Sequence, residues 1–187
     1  QKRKDWNGLI SGFKASDLVF LDESGCNTDM TRRYAYSLGG SRVVDSAPLS
    51  KPKNTTILSS IQLDGTLRYT TFSGGTTVER FKRYLETDLL PHLNGNSVLI
   101  MDDMKSHHAK AVRNLLDNSG VRYIYLPPYS PDLNPIEKLW SKVKSFLRKF
   151  KARTLDALPN AIQCAFQTVS PSDCSGWFHS CGYSPYF

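Results

Sequence analysis

The chain has 187 residues, a formal net charge of +7 and a pI of about 9.3. This length suits one domain with a sizeable core, and the excess of Lys and Arg favours a polyanionic partner, most commonly nucleic acid. No apolar run approaches the roughly 18 residues of a membrane span, and the first ten residues lack a signal-peptide core. The sequence therefore predicts no membrane partner.

The four cysteines form no CxxC pair, so free thiols in a reducing compartment are expected. Cys174, His179 and Cys181 offer three possible metal ligands, but a fourth is missing and the spacing matches no known zinc pattern. We therefore predict no zinc site.

Two short apolar runs, each ending in an acid, predict strands that are buried on both faces. The first is DLVFLD at 17–22, and the second is SVLIMD at 97–102. Asp22 and Asp102 are expected at the C-terminal ends of these strands. In open α/β sheets this edge is where ligands bind.

Between the two runs the sequence predicts loops, a hairpin and a helix. Residues 24–53 are polar and indicate loops with a weak hairpin around 33–44, whereas 54–72 predict a true hairpin turning at Asp64-Gly65. Thr76 or Thr77 can cap the helix that follows. Its predicted apolar face consists of Val78, Phe81, Leu85 and Leu89.

After the second run the pattern alternates helix and strand. A helix is predicted at about 109–119 with Gly120 as its stop, then a strand in RYIYLP, and a further helix at about 155–169. The Ser-, Cys- and aromatic-rich segment after it gives no assignment. Without an internal repeat or linker, the chain is expected to be one domain.

The stretch LPPYSPDLNPIEKLW at 126–140 joins a proline-stiffened loop to a helix. Asn134 is predicted as the N-cap, Pro135 as the first helical residue, and Glu137 as a member of the first turn. Glu137 alone can equally be a capping-box or helix-dipole acid. The helical core stripe is predicted to be Ile136, Trp140, Val143, Leu147 and Phe150.

Asp22, Asp102 and Glu137 together suggest a different role from that of three isolated acids. Clustered carboxylates repel one another and stay ionised together only if cations neutralise them. Oxygen ligands suit Mg²⁺ or Mn²⁺, and a pair of such ions can promote phosphoryl displacement. The residues alone therefore make metal-dependent cutting or joining of a nucleic acid a hypothesis.

Three segments resemble the catalytic region of mariner-superfamily DDE transposases, in the branch carried by bacterial insertion sequences. They are VFLDESG, IMDDMKSHHA and the specific LPPYSPDLNPIEKLWSKVK, and 34 residues separate Asp102 from Glu137, as in that family. The likeness extends from about Asp17 to Tyr183. It implies an α/β, ribonuclease H-like fold: a mixed five-stranded sheet flanked by helices. Residues 1–16 are then a linker or entry segment, 17–187 the catalytic domain, and the N-terminal helix-turn-helix region is expected to be absent.

The resemblance assigns the three catalytic, metal-binding acids to Asp22, Asp102 and Glu137. Two Mg²⁺ or Mn²⁺ ions are the implied cofactors. The family usually has Asn where this chain has Asp103, which adds a negative charge beside the metals. His107 matches a family histidine and is expected to support the site, touch DNA or serve as an ordinary structural histidine. The candidate supporting residues are His107, Asp103 and Asn134.

The implied function is cleavage at transposon ends and transfer of the 3′-hydroxyl strand into target DNA. The implied partners are double-stranded DNA at both sites and a second copy of the chain on DNA, in the nucleoid of a bacterial cytoplasm. A lysine-rich run beside the site suggests phosphate contacts, although a solvated helix face explains such runs equally well. The candidate DNA-binding residues are Lys105, Lys138, Lys142, Lys144 and Arg148. The alternatives are another ribonuclease H-like nuclease and a catalytically dead, transposase-derived DNA-binding protein.

Overall fold

The core of the protein is a mixed sheet of five strands in the order β3-β2-β1-β4-β5. It is seen in a computed structural model that describes residues 2–46, 48–49 and 52–183. Strand β1 pairs antiparallel with β2 and parallel with β4, so it joins an antiparallel hairpin to a parallel half-sheet. The strands are β1 (Leu18–Cys26), β2 (Thr55–Gln62), β3 (Leu67–Ser73), β4 (Val98–Met101) and β5 (Arg122–Tyr125).

Helices cover both faces of this sheet, as predicted. They are α1 (Lys2–Ile10), α2 (Val78–Tyr84), α3 (Lys110–Ser119), α4 (Ile136–Phe150), α5 (Leu158–Gln167) and α6 (Pro171–Ser180). The chain continues past α2 through a π-helical turn at Leu85–Leu89 and a short 3-10 turn at Leu90–His92. None of the helices in the described residues is both long and apolar enough to cross a membrane.

Alternating side chains of β1 divide the core into two layers, because successive residues of a strand point to opposite faces. Leu18 and Phe20 pack with α1, α4, α5 and α6, whereas Val19 and Leu21 pack with α2 and α3. Strand β4 alternates in the same way. This alternation decides which layer each residue after the apolar runs will face.

The element predictions were right in kind and wrong in several details. The hairpin at 54–72 is confirmed, with Gly65 in its turn at a φ of +92°. The weak hairpin predicted around 33–44 is wrong: this part of the chain is irregular apart from a short 3-10 turn at Leu38–Gly40. Phe150 is not core, since 45% of its surface is exposed. It is the last residue of α4, where the helix has passed the edge of the core.

The two ends of the described chain pack together against the sheet. Trp6 of α1 is buried, and its indole N–H donates a 3.1 Å hydrogen bond to the Tyr183 hydroxyl. That hydroxyl in turn donates to the Leu133 carbonyl, just ahead of α4. Helix α6, which received no assignment from the sequence, begins with a reciprocal capping box between Ser170 and Asp173. Gln1 and residues 184–187 of the predicted ranges lie outside the described residues.

Candidate active site

Asp22 and Asp102 are brought together by the parallel pairing of β1 with β4. The last paired residues are Leu21 and Met101, so the two acids come next on adjacent strands. The prediction that Asp22 ends its strand is wrong, because β1 continues to Cys26 through its pairing with β2. By the alternation of each strand, both acids fall on the face that α4 covers.

The indole of Trp140 fixes α4 against β1 at this point. Its Nε1–H donates a 3.1 Å hydrogen bond to Oδ2 of the buried Asp22, and the Glu23 backbone N–H donates to Oδ1 at 2.8 Å. Trp140 lies one turn after Glu137, so the same helix face presents both side chains. Glu137 lies in the first turn of α4, as predicted, and its side chain is exposed.

The three predicted acids line one open cavity of about 400 Å³. The rest of its wall comes from Asp103, Met104 and the proline-rich loop at 126–134. In that loop Tyr129 is almost fully exposed and has a φ of +55°, an unusual backbone conformation for a residue with a side chain. The proline-stiffened loop therefore forms the rim of the acid-lined cavity.

Burial and like charges disfavour ionisation of Asp22 in the absence of a cation. Burial raises its pKa to about 7, the Glu23 N–H and the Trp140 N–H oppose this rise, and the charges of Asp102 and Glu137 add to it. Such a carboxylate gains its charge readily only beside a positive partner. The all-oxygen set of Asp22, Asp102 and Glu137 fits a hard divalent cation.

His107 lies between two carboxylates on the other side of Asp102. Its Nδ1 is 2.8 Å from Oδ1 of Asp102, and its Nε2 is 3.3 Å from Oε2 of Glu23. Burial lowers the pKa of His107, but the interactions with Asp102 and Glu23 outweigh burial and raise it to about 10. Glu23, Asp102 and His107 hold ligand atoms within 4.8 Å of one another, a group that shares only Asp102 with the predicted acids.

The other two candidate supporting residues take different positions. Asp103 lines the cavity and pairs with His108, whose Nε2 is 2.5 Å from Oδ1. Asn134 also lines the cavity, but the capping prediction is wrong: α4 begins at Ile136, and no side chain caps it. The Asn134 side chain is instead buried, with its Oδ1 lacking a hydrogen-bond partner among the described residues.

The predicted basic residues separate into two faces of α4. Lys144 and Arg148 lie seven and eleven residues after Glu137 and therefore share its face. Lys138 and Lys142 line a groove beside α6, where Lys142 Nζ is 2.6 Å from Asp173 Oδ2. Lys105 is exposed in the turn that follows Asp102.

Sequence reasoning missed two residues whose side chains lie beside the acids or beside His107. Helical spacing predicts Trp140 only as a core residue, although a buried indole carries an N–H that needs a partner. Glu23 was not assigned, although it directly follows Asp22. The alternation of β1 was the available signal, because it sends Glu23 to the face opposite to Asp22, where His107 lies.

Three carboxylates around one open cavity of an α/β sheet are the arrangement of a nuclease-type domain that binds hard cations. The family model described as DDE superfamily endonuclease matches residues 17–159. The chain belongs to this family, which confirms the DDE part of the resemblance drawn from the three sequence segments; the bacterial insertion-sequence branch stays a prediction.

The curated relatives include the Transposable element Tc1 transposase of Caenorhabditis elegans. It is 28% identical over 97 residues, which cover 50% of this chain and 36% of that protein. The chain thus spans little more than a third of the length of this relative.

Solved structures of the Mos1 transposase share the fold. A pre-cleavage Mos1 transpososome superimposes with a TM-score of 0.80 at 18% identity, over 95% of this chain and 57% of that one. A Mos1 mariner paired end complex with Mn gives a TM-score of 0.72 at 18% identity, over 95% of this chain and 57% of that one. The catalytic domain of Mos1 mariner transposase gives a TM-score of 0.68 at 16% identity, over 95% of this chain and 85% of that one. These likenesses confirm the predicted ribonuclease H-like fold.

Proposed function

We propose that this chain is the catalytic core of a DNA transposase that cleaves phosphodiester bonds at transposon ends and joins the freed 3′-hydroxyl to target DNA. The observation that carries the proposal is the meeting of Asp22, Asp102 and Glu137 at one cavity. Family membership supports it, and so do the relatives: the Tc1 transposase, and Mos1 transposase solved with a transposon end and with Mn.

The proposed cofactors are two Mg²⁺ or Mn²⁺ ions. When bound, such ions withdraw charge from the scissile phosphate and activate the attacking hydroxyl. Asp22 and Asp102 would hold them from the sheet, and Glu137 from α4. The raised pKa of Asp22 supports this assignment, because cations would supply the positive charge that the buried carboxylate lacks.

The chain's own residues would orient the reactants without forming a covalent intermediate. Trp140 and the Glu23 N–H fix both oxygens of Asp22, so this ligand needs no rearrangement when a cation arrives. Glu137 is exposed and at the start of a helix, so it can adjust to the substrate. Pre-organised ligands of this kind stabilise the charge that develops during phosphoryl transfer.

DNA would approach along the face of α4 that bears Glu137. Lys144 and Arg148 continue this face, and Lys105 lies in the exposed turn after Asp102, so all three can meet phosphates flanking the scissile bond. Lys138 and Lys142 face α6 and would contact DNA farther from the cavity. The further assignments remain part of the proposal: a catalytic domain at 17–187 preceded by an entry segment at 1–16, a homodimer on DNA, and an insertion sequence acting in a bacterial nucleoid.

The test compares Asp102→Asn and Glu137→Gln with the wild type and with Glu86→Gln. Glu86 is an exposed acid on the α2 side of the sheet and serves as the matched control. In Mn²⁺, nicking of a supercoiled plasmid should fall by roughly three orders of magnitude or more in the two site variants, the scale of losing a member of a catalytic unit. Circular dichroism should show all four proteins folded.

A precut duplex with a free 3′-hydroxyl separates the alternatives. The transposase should join it to plasmid DNA, whereas a plain nuclease would only hydrolyse. A catalytically dead DNA-binding protein would bind the duplex and do neither. Full activity in either site variant would refute the assignment of the acids.

A further inference from the structure

Asp102 is held less firmly by its own backbone than Asp22 is. Asp22 lies inside β1, whereas Asp102 follows the last residue of β4 and leads into an irregular turn. Its side chain is 36% exposed. The orientation of the Asp102 side chain therefore depends on the groups that bind its carboxylate.

His107 is the main group that binds the Asp102 carboxylate. Its Nδ1 lies 2.8 Å from Oδ1, and the Met104 backbone N–H adds a longer contact of 3.3 Å to the same oxygen. Both contacts use Oδ1, so Oδ2 is the oxygen left for a ligand in the cavity. The imidazole is completely buried and stacks on Phe81 at 4.2 Å, which fixes the plane of the ring.

Glu23 faces the opposite nitrogen of the same ring. Its side chain is only 8% exposed, its Oε2 is 3.3 Å from His107 Nε2, and neither of its oxygens has a hydrogen-bond partner of good geometry among the described residues. A polar group buried this way costs free energy unless another polar group faces it. The group that faces Glu23 is His107, whose ring lies between the carboxylates of Glu23 and Asp102.

We propose that Glu23 and His107 form a positioning pair that fixes the Asp102 carboxylate for cation binding. Glu23 packs against the Nε2 edge of the His107 ring, and the Nδ1 edge of the same ring holds Oδ1 of Asp102. Neither residue needs to touch the substrate. This inference rests on the metal-dependent function proposed above, and it assigns Glu23 a role that the acid triad does not include.

The first experiment measures Mn²⁺ binding by calorimetry in the wild type, Glu23→Gln and the control Glu86→Gln. Loss of an outer group behind a metal ligand typically weakens metal binding by about 10- to 100-fold. Glu23→Gln should therefore bind Mn²⁺ at least about tenfold more weakly than the control. The rise in Tm that Mn²⁺ causes, measured against each variant's own metal-free Tm, gives a second readout that changed folding stability does not distort.

Two substitutions of His107 test which side of the ring, the one facing Asp102 or the one facing Glu23, supports Mn²⁺ binding directly. The amide nitrogen that His107→Asn introduces would lie near the former Nδ1, facing Asp102, whereas the one that His107→Gln introduces would lie near the former Nε2, facing Glu23. His107→Asn should therefore retain more Mn²⁺ affinity than His107→Gln. Adding Glu23→Gln to His107→Asn should have no further effect, because the link to Glu23 is already broken.

Two results would overturn the positioning pair. One is a Glu23→Gln variant that binds Mn²⁺ like the control, and the other is a Glu23→Gln effect of equal size in the wild-type and His107→Asn backgrounds. Either result leaves the proposed function intact if Asp102→Asn abolishes plasmid nicking. Nicking that survives in Asp102→Asn instead refutes the proposed function itself.

Discussion

Replacing Asp22 by Asn should make the folding stability of the metal-free protein less sensitive to rising pH. Burial, assisted by the charges of Asp102 and Glu137, raises the Asp22 pKa from its ordinary 3.8 to about 7 in the folded state. The folded chain therefore binds this proton more tightly than the unfolded chain does. Stability must fall as pH rises between these two values, and the loss is complete above pH 7.

The magnitude follows from the two pKa values. Between pH 5 and pH 8, the ionisation of Asp22 should cost the wild type about 2.5 kcal/mol of unfolding free energy. Asp22→Asn lacks this ionisation. Its amide also turns an N–H toward the Trp140 indole, but that cost is the same at both pH values and cancels in the comparison.

Urea unfolding in EDTA at pH 5 and pH 8 measures this effect in the wild type, Asp22→Asn and the surface control Glu86→Gln. The wild type and the control should each lose about 2.5 kcal/mol relative to Asp22→Asn across this range. Adding Mn²⁺ at pH 8 should stabilise the wild type more than Asp22→Asn. Unfolding free energies that change in parallel from pH 5 to pH 8 would show that Asp22 is not held as an ionisation-resistant carboxyl.

Trp140→Phe should keep the core filled but remove the N–H that holds Asp22 Oδ2, so Mn²⁺-dependent plasmid nicking should fall by about 10- to 100-fold while the circular dichroism spectrum is unchanged. Unchanged nicking at neutral pH would contradict a positioning role for the indole. Gly65→Ala should destabilise the fold by about 2 kcal/mol, because a Cβ there would lie 2.9 Å from Pro171 Cα at a φ of +92°. Calorimetric melting checks this against Gly75→Ala, whose added Cβ meets nothing within 4 Å, and an equal Tm for both variants would be the contrary result.

The sequence was most informative where a local pattern has one structural solution. The apolar runs before Asp22 and Asp102 became the two central parallel strands, and the DG turn became a hairpin, because side-chain alternation and turn geometry are local properties. Glu137 in the first turn of α4 follows from the same kind of local information. The weak hairpin at 33–44 failed because polar residues without a buried face give a strand nothing to pack on.

Helix ends and supporting contacts were harder to predict. Asn134 has a good capping side chain, but the fold buries it at the cavity wall. The capping box of α6 was present in the sequence as Ser170 and Asp173, but the mixed composition around it hid the helical pattern. Local preference decides such details only when tertiary packing does not compete with it.

The sequence by itself determined the strands, the positions of the three acids along the chain and the family resemblance that links them. Only the tertiary structure decided which groups surround those acids: the Trp140 indole at Asp22, and His107 between Asp102 and Glu23. The physical reason is that these contacts join residues as much as 118 positions apart, and their energies depend on burial. Burial exists only after the sheet and α4 have packed together.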